Sequence, residues 1–199
     1  MPIWWNGRHV RLRSVWRNPY KFKSCYGYFM NKLSSIEIKG LVMYYYRYIR
    51  HFPLVATEVG VLNNYFADVV ASTDKEIVEV EIKTSIEDFE HEFKSKEKKH
   101  NLYLNELINP GHKLQDSVYK MMPNRLFYAV EPRLIKDVFR VVNGTPYGVM
   151  EVTKNLDSPV RVVRPAGKLH HGFPKRLYDR AVCRCSSELV SMYVGNLRL

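Results

Sequence analysis

Two short segments, Tyr65–Ala71 and Glu76–Lys83, constrain this chain more than anything else in it. In the second, Val78, Val80 and Ile82 alternate with Glu79, Glu81 and Lys83. That period of two is the signature of a strand with one apolar and one charged face. The first offers Ala67, Val69 and Ala71 to one face, and Ser72-Thr73-Asp74-Lys75 between the two reads as a turn. The pair is a β-hairpin. Asp68 is the lone acid of its strand, flanked by Phe66, Ala67, Val69 and Val70. With the turn centred near residues 73–75, pairing sets Asp68 across from Glu79 or Glu81, roughly 5 Å away. A buried, unpaired carboxylate is costly, so Asp68 needs a partner.

The flanks supply helices. Ser34-Ser35 caps one that runs to about residue 51, with Glu37 in its first turn, where the helix dipole favours an acid. Ile38, Leu41, Tyr45, Tyr48 and Ile49 recur at helical spacing, and Pro53 ends the run. Ser85 caps a second helix with Asp88 at the capping-box position. Its Phe89 and Phe93 point inward, and an outer face crowded with Glu and Lys extends to His100. Residues 101–124 hold a helical stretch and a long loop. Leu126–Val130 reads as a buried strand, Pro132–Val138 as a short helix, and Tyr147–Val152 and Val160–Val163 as further strands. Lys175–Val194 reads as a terminal helix with Leu177, Ala181, Leu189 and Met192 in a stripe. The expected class is α/β (α+β), a mixed central sheet flanked by helices, with a C-terminal helix. Three parts are expected: a basic aromatic arm (1–33), a core (34–153, with 101–124 inserted), and a basic loop plus helix (154–199).

Composition narrows the function. A length of 199 residues with 46% hydrophobic residues suits a folded domain rather than a disordered chain. No apolar run nears the roughly 20 residues of a membrane span, so no membrane partner is expected. The N-terminus is too basic and interrupted for a secretory signal. Three cysteines make no disulfide framework and fit a reducing, cytoplasmic interior. Cys183-x-Cys185 lacks the second ligand pair of a structural zinc site.

The net charge of +11 is uneven: +9 in residues 1–50, −5 in 51–100, +2 in 101–150 and +5 in 151–199. A basic shell around one acidic segment suits a protein that grips a polyanion and acts on it with carboxylates. Arg8, Arg11, Arg13 and Arg17 stand among Trp4, Trp5, Trp16 and Tyr20. That mixture fits phosphate contact with base stacking, or rings that dock the arm on the core. Lys94 and Lys98, in a run with Lys96, Lys99 and His100, follow the hairpin and its helix. Arg161, Arg164 and Lys168 surround a basic loop, and all five are candidate phosphate contacts. His170-His171 in that loop has no acidic or cysteine partner for a metal.

Two converging carboxylates repel unless a cation lies between them. Oxygen donors on neighbouring strands suit Mg²⁺ or Mn²⁺, with Asp68, Glu81 and the Ile82 carbonyl as ligands. Lys83, on the face of Glu81, can hold an attacking water or stabilise developing charge. Asp…Glu-x-Lys on a hairpin is thus a set for phosphodiester hydrolysis. Glu37 and Glu58 are further candidate acids, although Glu37 also serves the helix dipole and Glu58 can be a surface acid. Glu79 is a neighbour of the set.

Asp68 followed by Glu81-Ile82-Lys83, after a helix and a hairpin, resembles the PD-(D/E)xK nuclease superfamily. The wider run is Phe66-Ala67-Asp68-Val69-Val70, Val78 to Ser85, Asp88-Phe89 and Leu126-Phe127-Tyr128-Ala129-Val130. It is most similar to the MmcB-type DNA-repair nucleases over about residues 36–153. The resemblance implies a restriction-endonuclease-like core and divalent-metal cleavage of nucleic acid. Ala67 stands where the superfamily's proline would be, and neither the arm nor the tail past about 154 has a counterpart. The expected activity is a Mg²⁺- or Mn²⁺-dependent endonuclease on DNA, in repair, recombination, a mobile element or a phage. RNA as substrate and a homodimer stay open. The alternative is a catalytically inactive nucleic-acid-binding protein, or a basic subunit of a larger nucleoprotein assembly.

Overall fold

Thr73 closes the hairpin turn. Its Oγ1 accepts the N–H groups of Lys75 and Glu76, both at 3.2 Å, and its own N–H donates to the Glu76 carbonyl at 3.0 Å. The computed structural model describes residues 32–62, 65–109 and 112–196. Six strands form one sheet: β1 (Leu54–Val61), β2 (Tyr65–Ser72), β3 (Ile77–Lys83), β4 (Arg125–Val130), β5 (Gly148–Val152) and β6 (Val160–Arg164). Their spatial order follows the chain. β1–β2–β3 and β5–β6 pair antiparallel, and β3–β4–β5 pair parallel. Parallel neighbours need crossovers. The first carries α2 (Ile86–Ser95), α3 (Glu97–Tyr103), α4 (Asn105–Ile108) and α5 (Asp116–Tyr119), and the second carries α6 (Ile135–Val142). Helices α1 (Ser35–Tyr44) and α7 (Lys175–Asn196) complete a mixed α/β fold.

The sheet is covered on both faces. Ile38 and Val42 of α1 pack with Val69, Ala71, Val78, Val80 and Ile82. On the other face Phe89, Tyr103 and Val138 pack against Leu126, Tyr128 and Val130. Leu177 and Ala181 of α7 meet Ala56, Val70 and Ile77 there. All seven residues of β3 are therefore buried, its charged ones included. Each buried aliphatic side chain contributes about 1.5–3 kcal/mol, and each buried charge must find a partner.

Three expectations change in detail. The first helix ends in a π-helical turn, Tyr45–Ile49. The wider turn rotates the stripe, so Tyr45 and Tyr46 are buried while Tyr48 and Ile49 face solvent. In α7 the stripe breaks off after Cys185, leaving Leu189 and Met192 exposed. The second expected helix is two, parted at Lys96, whose backbone (φ −108°, ψ 28°) is not helical. That break turns α3 inward and buries Lys99 and His100, which lie on the sheet side and not on an outer charged face. No described helix is long and apolar enough to cross a membrane. The arginines Arg8, Arg11, Arg13 and Arg17 lie outside the described residues.

Candidate active site

Period two aims Glu79, Glu81 and Lys83 at the α2–α3 layer, and that layer answers each charge. The Lys99 ammonium lies 2.5 Å from Glu79 Oε1 and 2.5 Å from Glu81 Oε1, fully buried. Tyr103 donates its hydroxyl to Glu79 Oε2 at 2.6 Å. Lys96 Nζ reaches both Glu81 oxygens, at 3.3 and 3.2 Å, from a side chain 25% exposed. Lys83 Nζ lies 2.5 Å from Glu92 Oε2 of α2 and 3.6 Å from Asp88. Three lysines thus match three buried glutamates.

Burial pushes Glu79 up to about 7, and the Glu81 charge adds to this against the pull of Lys99. Burial works the same way on Glu81, but Lys99 and Lys96 outweigh it and hold its carboxyl at about 2. For Lys83 burial disfavours the charge, yet Glu92 more than restores it and the pKa rises. His100 stacks on Phe93 at 4.4 Å between ring centroids, and its Nδ1 is 3.0 Å from the Tyr147 hydroxyl. Burial and the Lys99 charge bring it down to about 3, a neutral imidazole at ordinary pH.

Asp68 sits where β2 and β3 part. Val70 pairs with Glu79 and Val69 with Val80, so the register sets Asp68 opposite Glu81. The ladder stops at Val80, and Ile82 donates its N–H to Asp68 Oδ2 at 2.8 Å. The face alternation of β1 and β2 is interrupted here. Ala56 and Val59 share one core cluster, as do Ala67 and Val70, although the members of each pair are three positions apart and strict alternation would put them on opposite faces. Between them Glu58 has φ 50°, a left-handed conformation unusual for a non-glycine residue. Near this kink, past the end of the β2–β3 ladder, the Asp68 carboxylate takes the Ile82 N–H in place of a backbone carbonyl. Lys39 of α1 comes within 3.6 Å of its Oδ1 and also binds Glu58. Burial and then the Glu81 charge raise the Asp68 pKa, opposed by the Ile82 hydrogen bond and Lys39.

Hard oxygen donors stand near one another past the end of this ladder. The Glu81 charge bears on the Asp68 carboxylate and disfavours its ionised form. The Ile82 carbonyl points toward the same neighbour strand as its N–H, as strand geometry requires. Among the described residues no group of three or more His, Cys, Asp or Glu side chains is arranged to hold a metal. Mg²⁺ does not need one, since one or two carboxylates suffice with water and phosphate completing its shell. The donor chemistry therefore fits such an ion, provided Lys96 releases Glu81.

Other expected residues fall elsewhere. Glu37 closes a capping box with Ser34 and pairs with Lys154 at 3.0 Å, so it serves the helix end and not the cluster. Glu58 joins Asp68 only through Lys39. Lys94 and Lys98 are exposed. Arg161 pairs with Glu151 at 2.6 Å, and Arg164 donates to the Val142 and Thr145 carbonyls at 2.6 Å each. Both are on β6, four strands from Asp68, and Lys168 follows on the exposed loop. His170 is buried with Nε2 2.8 Å from the Met122 carbonyl, which is a packing role. The sequence alone did not single out Lys39, Glu92 or Tyr103, and it placed Lys96 and Lys99 in an outward basic run and not against the buried glutamates. Glu92, Lys96 and Lys99 follow Phe89 at intervals of three and four, a spacing that marks one helix face.

No protein-family model matches the chain, and no curated protein matches it. Among solved structures it is similar to SPO1766, a protein of unknown function from Silicibacter pomeroyi. The TM-score is 0.57 and the identity 15%, over 82% of this chain and 94% of that one. At that identity the likeness is one of fold.

Proposed function

We propose that this protein is a divalent-metal-dependent nuclease that hydrolyses phosphodiester bonds in DNA. The observation that carries the reading is the Asp68 carboxylate held on the Ile82 N–H, in register with Glu81, past the end of the β2–β3 ladder. Asp68, Glu81 and the Ile82 carbonyl would hold Mg²⁺ or Mn²⁺. When bound, such an ion acidifies water and offsets charge on the phosphate. Lys83, fixed by Glu92, places a positive charge along the same strand, where charge develops during hydrolysis. A cytoplasmic setting goes with a DNA substrate and with Cys183 and Cys185 standing as free thiols.

A second reading has one observation in its favour. Both oxygens of Glu81 are already engaged by lysines, as they would be in a nucleic-acid-binding protein without catalysis. Single-turnover cleavage separates the two. Supercoiled, single-stranded, flapped and four-way DNA, and an RNA control, are incubated with Mg²⁺ or Mn²⁺. Wild-type protein should cut at least one DNA substrate, and Asp68→Asn and Glu81→Gln should lose cleavage while keeping the wild-type circular dichroism. DNA binding without cleavage of any substrate would give the second reading the field.

A further inference from the structure

Helix α7 presents Arg176, Arg180 and Arg184 at intervals of four, hence on one face and about 6 Å apart along the axis. All three are exposed. Two adjoining depressions run under this stripe, of about 300 and 510 Å³, sharing Tyr65 and Arg180. Lys98 of α3 borders the first, and Phe66 and Arg184 border the second.

The guanidinium groups are positioned but not all neutralised. Arg180 Nη1 donates to the Gly60 and Leu62 carbonyls at 3.3 and 3.2 Å, which leaves its other N–H groups for a ligand. Arg184 donates through Nε to the Thr57 carbonyl at 3.2 Å and pairs with Glu188 at 3.1 Å. Two acids border the second depression, Glu58 and Asp179, and Glu58 is bound by Lys39. Cations still prevail along the groove.

Phe66 supplies a second kind of contact. It is 62% exposed, unusual for phenylalanine. Its cross-strand partner is Gly60, so no side chain stands opposite the ring. A Cβ placed there would meet Arg180 Nη1 at 3.2 Å and Phe66 Cε1 at 3.9 Å. Ring and guanidinium therefore converge over a glycine. Phe66 precedes Asp68 by two residues, about 7 Å along the strand.

We infer that this groove is a binding track for single-stranded nucleic acid, with backbone phosphates on Arg176 and Arg180 and an unpaired base stacked on Phe66. An exposed ring beside a guanidinium row is the combination that suits single strands, because bases within a duplex cannot stack on protein. A base on Phe66 brings its neighbouring phosphate toward Asp68, so the track rests on the nuclease reading for its direction.

Binding is measured by fluorescence anisotropy of a labelled oligothymidylate and of a labelled duplex, in EDTA across a salt series, with the full chain. Wild-type protein should bind oligothymidylate. Phe66→Leu should weaken that binding about tenfold, within the range of one stacking contact, and leave the duplex unaffected. Arg176→Gln should lower the salt slope by about 0.7, the share of one phosphate contact on a single strand. Both side chains are exposed, and no described residue bonds Arg176, so circular dichroism should be unchanged. Wild-type affinity and slope in both variants would overturn the track. So would equal weakening on duplex and single strand, or no oligothymidylate binding at all. EDTA removes catalysis, so this failure is distinct from failure of the nuclease reading. That reading is tested by Asp68→Asn, which should bind oligothymidylate normally while losing cleavage.

Discussion

Lys83 of β3 and Glu92 of α2 form an ion pair, Nζ to Oε2 2.5 Å, with side chains 8% and 0% exposed. The pair fixes the one lysine of the Asp…Glu-x-Lys set. Removing the Glu92 charge leaves Lys83 the weaker contact with Asp88 and the field of Glu81. In the proposed nuclease Glu92 would therefore act as a positioning residue for Lys83. Glu92→Gln should lower single-turnover cleavage about tenfold with little change in DNA affinity. It should also move the alkaline limb of the pH–rate profile to lower pH, because the raised Lys83 pKa depends on Glu92. A purely structural role would leave the alkaline limb where it is.

Lys99 holds Glu79 and Glu81 together inside the protein. Burial disfavours its charge, but the three glutamates around it outweigh that and raise its pKa. Removing one member of a buried pair leaves the other uncompensated, at a cost of about 3–5 kcal/mol. Lys99→Met should therefore lower urea stability by about that amount. Adding Glu79→Gln removes one of the stranded charges and should recover part of the loss. Equal stability of the single and double variants would mean that Glu79 takes up a proton once Lys99 is gone, so that no charge is left stranded there.

Asp68, Glu81 and Lys83 were legible because a strand's period of two survives in sequence and the turn Ser72–Lys75 fixes the register. Their neighbours were hidden for physical reasons. Glu92, Lys96 and Lys99 belong to a run of alternating charge, which usually marks a solvated helix face. Only the non-helical Lys96 turns α3 inward, and Lys96 carries no breaker residue's signature. The kink at Glu58 is likewise invisible, since a left-handed glutamate is stabilised by its surroundings and not by its own preference. The Tyr45–Ile49 π turn moved the buried face by one residue for the same kind of reason.

His100 sets a pH limit on stability. It titrates near 6.5 when unfolded and at about 3 when folded, chiefly through burial and then Lys99. Between those values the unfolded chain binds the proton and the folded chain does not. The folded-state advantage is therefore complete above pH 6.5 and lost as pH falls toward 3. The full loss is on the order of 5 kcal/mol. His100→Gln can still bond the Tyr147 hydroxyl but does not titrate. The wild-type stability relative to this variant should fall as pH drops from 6.5 to 4 in urea melts. A constant difference across that window would place His100 in a protonated pair with Glu92, 3.8 Å away.

Lys96 should compete with the metal. Its ammonium contacts both oxygens of Glu81 and lies 3.6 Å from Glu92, and at 25% exposure it can withdraw to solvent. Lys99, fully buried between Glu79 and Glu81, cannot. A divalent ion that takes Glu81 as a ligand must therefore displace Lys96, and its affinity is lowered by the strength of that contact. Lys96→Met keeps the aliphatic stem and removes the charge. Mn²⁺ titrated calorimetrically into this variant should bind about tenfold more tightly than into wild type, equivalent to about 1.4 kcal/mol of relieved competition. Lys96→Arg should restore the weaker binding. In Glu81→Gln the gain from Lys96→Met should vanish, because the two effects act through one carboxylate. Unchanged or weaker Mn²⁺ binding in Lys96→Met would show that Glu81 stays with its lysines and does not ligate the ion.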